Sequence, residues 1–177
     1  MKQTALLVID VQNDYFDEGL FPLWNTQSVL NNILDTMKHA LANNTPIIFI
    51  QHVADPAEGD APFFNPATHG VELHPQITAL APNAPLVIKH FADSFEQTNL
   101  EEVLSSLNVE TLLLCGMMTQ HCITHTALSA SAEKYQVEVI GKACTTREAL
   151  LHHIALAGLS RRVNCVSIEK AASSLAG

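Results

Sequence analysis

Three side chains that together can break an acyl bond stand at the ends of short apolar runs. Ala5-Leu6-Leu7-Val8-Ile9 stops at Asp10, and Leu86-Val87-Ile88 stops at Lys89. Leu112-Leu113-Leu114-Cys115 leads through Gly116-Met117-Met118-Thr119-Gln120-His121 to Cys122. An acid, an ammonium and a thiol can carry out hydrolysis through a covalent thioester, with the acid moving the proton and the cation favouring thiolate. A free thiol has a pKa of about 8.5, which a helix N-terminus or a nearby cation lowers. Cys122 is expected to have the first and Lys89 to supply the second. Attack on a carbonyl creates an oxyanion that needs fixed N–H donors. The 116–122 turn can offer backbone amides, foremost those of Met118 and Cys122. Singly, each residue has a plainer reading: Asp10 in an Asx-turn, Lys89 solvated, Cys122 an apolar filler. Their joint placement favours a site.

The elements that must position them read as alternating strands and helices. Strands are expected over 4–9, 46–51, 86–88, 111–115, 137–140 and 163–168, and helices over 26–43, 72–81, 98–107, 120–134 and 147–159. The strands are nearly continuous apolar runs, which implies a mostly parallel sheet covered on both faces. In such a sheet ligands bind beyond the carboxyl ends of the strands, where all three residues fall. Asn25-Thr26 is expected to cap the first helix, and Thr98 with Glu101 to form a capping box. The stretch from Asp55 to His69, with Pro56, Pro62, Pro66 and Phe63-Phe64, reads as a long loop within 53–72, and loops of this kind often act as lids.

Bulk properties narrow the function classes. The 177 residues suit one domain spanning 1–177; 47% are hydrophobic and 15% charged, and the formal net charge is −9. With no basic block, nucleic acid and anionic membrane are not expected as partners. No apolar run approaches the ~20 residues of a membrane span, and no signal-peptide pattern opens the chain, so a cytoplasmic protein is expected. The four cysteines, Cys115, Cys122, Cys144 and Cys165, form no CxxC. That argues against a disulfide framework or zinc knuckle, and Cys115, Cys144 and Cys165 read as inert core thiols.

Among other polar groups, His121 and His125 have the i, i+4 spacing of zinc ligands but lack the intervening glutamate. His152 and His153 are adjacent and read as structural or interfacial. Tyr15 and Phe21 are expected to wall an apolar pocket, with Phe16 and Trp24 as further candidates. Gln12 and Asn13 are expected to brace the Asp10 loop. The small side chains Thr124, Thr126, Ala127, Ser129 and Ala130 would let the nucleophile helix lie close to the sheet.

The chain resembles the isochorismatase-like cysteine hydrolases. The resemblance rests on Leu7-Val8-Ile9-Asp10-Val11-Gln12-Asn13-Asp14-Tyr15-Phe16, on Val87-Ile88-Lys89 with Ser94-Phe95, and on Gly116-Met117-Met118-Thr119-Gln120-His121-Cys122-Ile123. It implies a three-layer α/β/α sandwich around a six-stranded parallel sheet in the order 3-2-1-4-5-6. It also implies a triad of Asp10, Lys89 and Cys122, and a cis Met117–Met118 peptide aiming the Met118 amide into the oxyanion hole. Relative to the family's nicotinamidase branch, the metal-binding Asp-x-His after the second strand is missing; the region reads Ile50-Gln51-His52-Val53-Ala54-Asp55. Gathering of His52, His69 and His74 around a metal is the lesser reading, and no metal or cofactor is expected. The isochorismatase branch lacks the nucleophilic cysteine, which is present here.

The expectation is a metal-independent cysteine amidohydrolase acting on a small amide, ureido or carbamoyl compound, and forming a homo-oligomer as the family often does. Alternatives are nicotinamidase-type or isochorismatase-type hydrolysis, or a thiol-based sensor or binding protein on the same fold.

Overall fold

The computed structural model describes residues 3–175; the termini of the expected 1–177 domain, Met1, Lys2, Ala176 and Gly177, lie outside the described residues. The strands β1 (Gln3–Ile9), β2 (Ile47–His52), β3 (Leu86–Lys89), β4 (Val109–Met117), β5 (Gln136–Thr145) and β6 (Asn164–Val166) form one sheet in the order β3-β2-β1-β4-β5-β6. All the pairings are parallel. Helices α1 (Thr26–Ala42), α2 (Pro75–Leu80), α3 (Leu100–Ser106), α4 (Thr124–Ala127), α5 (Ala149–Leu159) and α6 (Ile168–Leu175) flank it.

Alternation along β1 sorts the two faces. Leu6 and Val8 pack with Leu30, Ile33, Ile77, Ala171 and Leu175 of α1, α2 and α6. Ala5, Leu7 and Ile9 pack with Leu100, Leu104, Ala127 and Leu159 of α3, α4 and α5. This is the expected three-layer α/β/α sandwich. The chain runs outward from β1 to β2 and β3, then returns to place β4 on the other flank of β1. The switch point of the sheet therefore lies between β1 and β4, where crevices in such sheets open.

Several local expectations give way. β3 is an edge strand whose Leu86 and Ile88 are exposed while Val87 and Lys89 are buried, so only one of its faces is covered. The expected 120–134 helix is broken into a π-helical turn (Thr119–Ile123), the short α4 and a 3₁₀ turn over Ala130–Lys134. Hydroxyls compete with its backbone ladder: Thr124 Oγ1 donates to the Thr119 carbonyl at 2.7 Å, and Ser129 Oγ accepts from the Ser131 N–H at 3.3 Å. Helix α2 begins at Pro75 rather than at 72, with His74 as its cap, because a proline suits the first helical position. Asn25 and Asn99, not a capping box, precede α1 and α3, neither giving a side-chain cap. Thr98 Oγ1 instead accepts from the Leu100 N–H, and Glu101 pairs with Lys134. The last expected strand, 163–168, stops at Val166 and turns into α6, where Ser167 Oγ accepts from the Lys170 N–H at 3.2 Å. Among the described residues no helix is long and apolar enough to cross a membrane.

Candidate active site

Asp10, Lys89 and Cys122 come together at the carboxyl edge of the sheet, at 0%, 0% and 2% exposure. The Lys89 ammonium is 2.9 Å from Asp10 Oδ2 and 3.2 Å from Cys122 Sγ. It also lies 3.1 Å from the Phe91 carbonyl oxygen and 3.1 Å from His52 Nδ1. Asp10 Oδ1 has no hydrogen-bond partner among the described residues.

Backbone geometry makes this approach possible. Asp10 has φ 52°, the left-handed region that Asp tolerates better than most residues and that is enriched at functional sites. It turns the chain sharply off β1 while its N–H still donates to the Ile50 carbonyl at 3.0 Å. Gly116 pairs with Ile9 across β1 and β4 and has φ 122°. A Cβ there would fall on the Ile9 carbonyl oxygen, so only glycine lets the turn that carries Cys122 leave β4 this close to Asp10. The Met117–Met118 peptide is cis, as the resemblance implies. The Met118 carbonyl accepts from the N–H groups of His121 and Ile123 at 3.0 and 3.3 Å, closing the turn.

The electrostatics correct one expectation. The Cys122 thiol is pushed far above its ordinary range, first by burial and then by the Asp10 carboxylate, which together outweigh the lowering by Lys89. A protonated thiol is therefore the resting form, where a lowered pKa was expected. Cys122 sits within the π-helical turn rather than ahead of a long helix, and its burial removes the water that a thiolate needs. For Lys89, burial works against the charge, but Asp10 and Cys122 together hold the ammonium above its ordinary range. His52 is pushed down to about 4 by burial and then by Lys89, and is neutral at physiological pH.

Polar side chains tie the loops around Asp10 together. Gln12 Nε2 donates to the carbonyls of His52 and Val71 at 2.8 and 2.7 Å, and its Oε1 accepts from the His52 N–H at 2.8 Å. Asn13 Nδ2 donates to the His69 carbonyl at 3.0 Å. Asp14 went unremarked in the sequence, yet its buried carboxylate accepts from the N–H groups of Leu20 and Phe64 at 3.2 and 2.7 Å. It pins the 17–21 loop and the middle of the 53–72 loop. Gly70 was its signal, since a Cβ at that position would strike this carboxylate.

Tyr15 is buried against Phe64, Phe63 and Phe21, with ring centroids at 4.6, 5.6 and 6.3 Å. Its hydroxyl is raised well above the ordinary tyrosine range by burial, with Cys122 and Asp10 adding to it. Phe21 is half-buried, with the Arg147 guanidinium 4.6 Å from its ring centroid. Phe16 packs on His74 with ring centroids 4.4 Å apart and the rings tilted by 42°. Trp24 lies against His152 and His153 at 6.0 and 6.4 Å. A cavity of about 440 Å³ opens beside His52, His90 and Phe91 under residues 54–62. Through His52 and Phe91 it reaches direct neighbours of the ammonium.

Histidines otherwise disperse. His69 pairs with Glu72 at 3.1 Å and His74 Nδ1 accepts from the Gln76 N–H at 3.3 Å, so neither joins His52. Donor atoms of Asp10, His52 and Cys122 do lie within 4.8 Å of one another, but the Lys89 ammonium stands among them, and a metal bound by this trio would have to displace it. His121 and His125 rings are 5.4 Å apart, and His121 Nδ1 is 3.5 Å from Cys122 Sγ. His152 is buried with Nδ1 2.8 Å from Thr119 Oγ1, a structural tie beneath the turn. Cys115 and Cys144 are buried, but Cys165 is exposed rather than a core thiol, because β6 is the other edge of the sheet.

The isochorismatase domain model matches residues 4–170. The chain belongs to the isochorismatase family. It is 38% identical over 144 residues to the uncharacterized isochorismatase family protein YddQ of Bacillus subtilis, covering 81% of this chain and 78% of that one. It is 31% identical over 133 residues to streptothricin hydrolase of Streptomyces noursei, covering 75% of this chain and 50% of the relative. Among solved structures, a cysteine hydrolase from Pseudomonas syringae superposes with a TM-score of 0.86 at 20% identity, covering 98% of this chain and 92% of that one. The nicotinamidase of Bacillus subtilis superposes with a TM-score of 0.83 at 22% identity, covering 93% and 99%. At such identities these two attest the fold. The family is hydrolytic, with amidase-type members.

Proposed function

We propose that this isochorismatase-family protein is a cysteine hydrolase that cleaves a C–N bond of a small amide, ureido or carbamoyl compound through a thioester. The observation that carries the reading is one buried ammonium in simultaneous contact with a carboxylate and a thiol, with the second carboxylate oxygen unpartnered. In this mechanism Cys122 Sγ attacks the carbonyl carbon as its proton passes to Asp10. The tetrahedral oxyanion is held by the backbone amides of Met118 and Cys122. Asp10 returns the proton to the departing nitrogen, which leaves as ammonia or an amine. Water, deprotonated by Asp10, then cleaves the thioester and restores the thiol. Phe21 offers an apolar surface toward the acyl group, with Tyr15 packed behind it in the same aromatic layer.

A redox-sensing thiol would need an exposed sulfur rich in thiolate, and Cys122 at 2% exposure with a raised pKa fits that role poorly. The nicotinamidase-type reading loses support from the separation of His69 and His74 from His52. The proposal extends to a cytoplasmic homo-oligomer; Leu150 and Ile154, 70% and 61% exposed on α5, offer an apolar face to a second copy.

The test is intact-protein mass spectrometry of wild type and Cys122→Ala, each incubated with a panel of small amides and ureido compounds, with ammonia release followed in parallel. An acyl adduct in wild type alone, with ammonia release lost in the variant, is expected. Ammonia release retained by Cys122→Ala would refute the covalent mechanism.

A further inference from the structure

The Lys89 ammonium has three hydrogens and faces a carboxylate, a backbone carbonyl, a sulfur and an imidazole nitrogen. Its path explains the last of these. β3 is separated from β1 by β2, so the Lys89 and Asp10 side chains together must bridge roughly 9–10 Å of sheet edge, two strand spacings, to meet over β2. His52 ends β2, and His52 and Lys89 are paired residues in the parallel register. The side chain that crosses and the side chain it crosses thus leave the sheet at the same level and on the same side.

His52 is itself held. Its N–H and its carbonyl are both engaged by the one Gln12 side chain, at 2.8 Å each, and its ring lies against Phe64 with centroids 5.9 Å apart. The Nδ1 atom faces the ammonium at 3.1 Å. An ammonium has no lone pair, so Nδ1 must be the acceptor and the ring must carry its proton on Nε2. The groups acting on this ring are Lys89 and His90 from β3 and its end, Asp10 from β1, and His121 from the nucleophile turn. Burial and Lys89 keep it neutral.

We infer that His52 is a positioning residue: its neutral imidazole accepts a hydrogen bond from Lys89 and holds the ammonium between Asp10 and Cys122. Gln12 fixes His52, His52 fixes Lys89, and Lys89 reaches the thiol. Without the Nδ1 acceptor the ammonium is drawn to its strongest partner, the Asp10 carboxylate, and the contact with Sγ lengthens. The inference deepens the proposed function, but its test reads the thiol and the ring rather than turnover, so either can fail without the other.

The test follows carbamidomethylation of Cys122 by iodoacetamide as a function of pH, resolved from Cys165 by peptide mass spectrometry. His52→Leu removes the acceptor and keeps apolar bulk; His52→Asn places Oδ1 near the position of Nδ1. Expected are a roughly tenfold slower reaction for His52→Leu at the same pH, and a rate within threefold of wild type for His52→Asn. An unchanged or faster reaction of His52→Leu, or an equal loss in both variants, overturns the inference. Wild type alone gives a second test by nitrogen NMR of the imidazoles. His52 is expected to be neutral at pH 5.5 with the proton on Nε2; a protonated ring, or a proton on Nδ1, refutes it.

Discussion

Replacing Lys89 by methionine keeps the stem and removes the ammonium. Asp10, at 0% exposure and with Oδ1 already unpartnered, then loses its contact at 2.9 Å. His52 Nδ1 and the Phe91 carbonyl lose a donor as well. Removing one partner of a buried ion pair costs about 3–5 kcal/mol, and an orphaned acceptor about 1–3 kcal/mol. These contributions overlap, so a loss of about 4 kcal/mol is expected. With a urea slope of about 2 kcal/mol per molar, the unfolding midpoint falls by about 2 M. The single tryptophan, Trp24, packed on α5, reports the transition by fluorescence. Adding Asp10→Asn removes the stranded charge, so the double variant should regain about 2 kcal/mol over Lys89→Met. The Lys89 pKa is raised on folding, so its stabilisation is complete below the unfolded value of about 10.4 and is lost as pH rises through the folded value. The difference between wild type and Lys89→Met should accordingly be flat from pH 7 to 9 as far as Lys89 is concerned. A Lys89→Met protein within about 1 kcal/mol of wild type, or a double variant no more stable than the single, would refute this account of the pair.

Gly116→Ala is expected to cost at least ~2 kcal/mol in the same urea assay, whereas Gly59→Ala, at φ 87° with open space around it, should cost ~1 kcal/mol; equal effects would contradict the close approach of β1 and β4. Brief iodoacetamide treatment of the native protein at pH 8 should label exposed Cys165 before Cys122, because burial and Asp10 raise the Cys122 thiol; dominant Cys122 labelling would show a thiolate at rest. His52, lowered from 6.5 to about 4 on folding, contributes stability that is complete above pH 6.5 and lost as pH falls toward 4. The share is up to about 3 kcal/mol, so the midpoint difference between pH 7 and pH 4.5 should be smaller in His52→Asn. An unchanged difference would mean that the ring is charged in the native state.

The strand ends were the legible part of the sequence. Apolar runs closing on Asp10 and Lys89 put both residues at one sheet edge, because each charge stands where its apolar run ends and the chain leaves the sheet. Strand order was supplied by the resemblance and not by periodicity. The helix after β4 was misread because 120–134 has helical apolar spacing, while the hydroxyls of Thr124 and Ser129 redirect its backbone bonds, a local competition that a periodicity count does not weigh. The contact of His52 with Lys89 was not legible because the two lie 37 residues apart; the strand-end position of His52 was the available signal. The thiol was misjudged for a related reason. A nearby cation can be read from spacing, but complete burial and a carboxylate in contact are properties of the assembled fold.

The raised thiol and the proposed nucleophilic role are compatible once charge is counted over the three groups together. At rest Asp10, Lys89 and protonated Cys122 carry one negative and one positive charge. Ionising Cys122 to solvent would leave two negative charges against one ammonium in a site with almost no exposure, and burial penalises that excess. Moving the same proton from Sγ to Asp10 leaves one charge of each sign, now thiolate and ammonium, and escapes most of that penalty. Transfer of the proton from Sγ to Asp10 is therefore easier than its loss to water. The ammonium at 3.2 Å from sulfur and 2.9 Å from the carboxylate can stabilise the negative charge on either atom. A buried site of this kind keeps its thiol unreactive toward solvent oxidants while leaving it able to ionise when a carbonyl carbon arrives to take the sulfur lone pair.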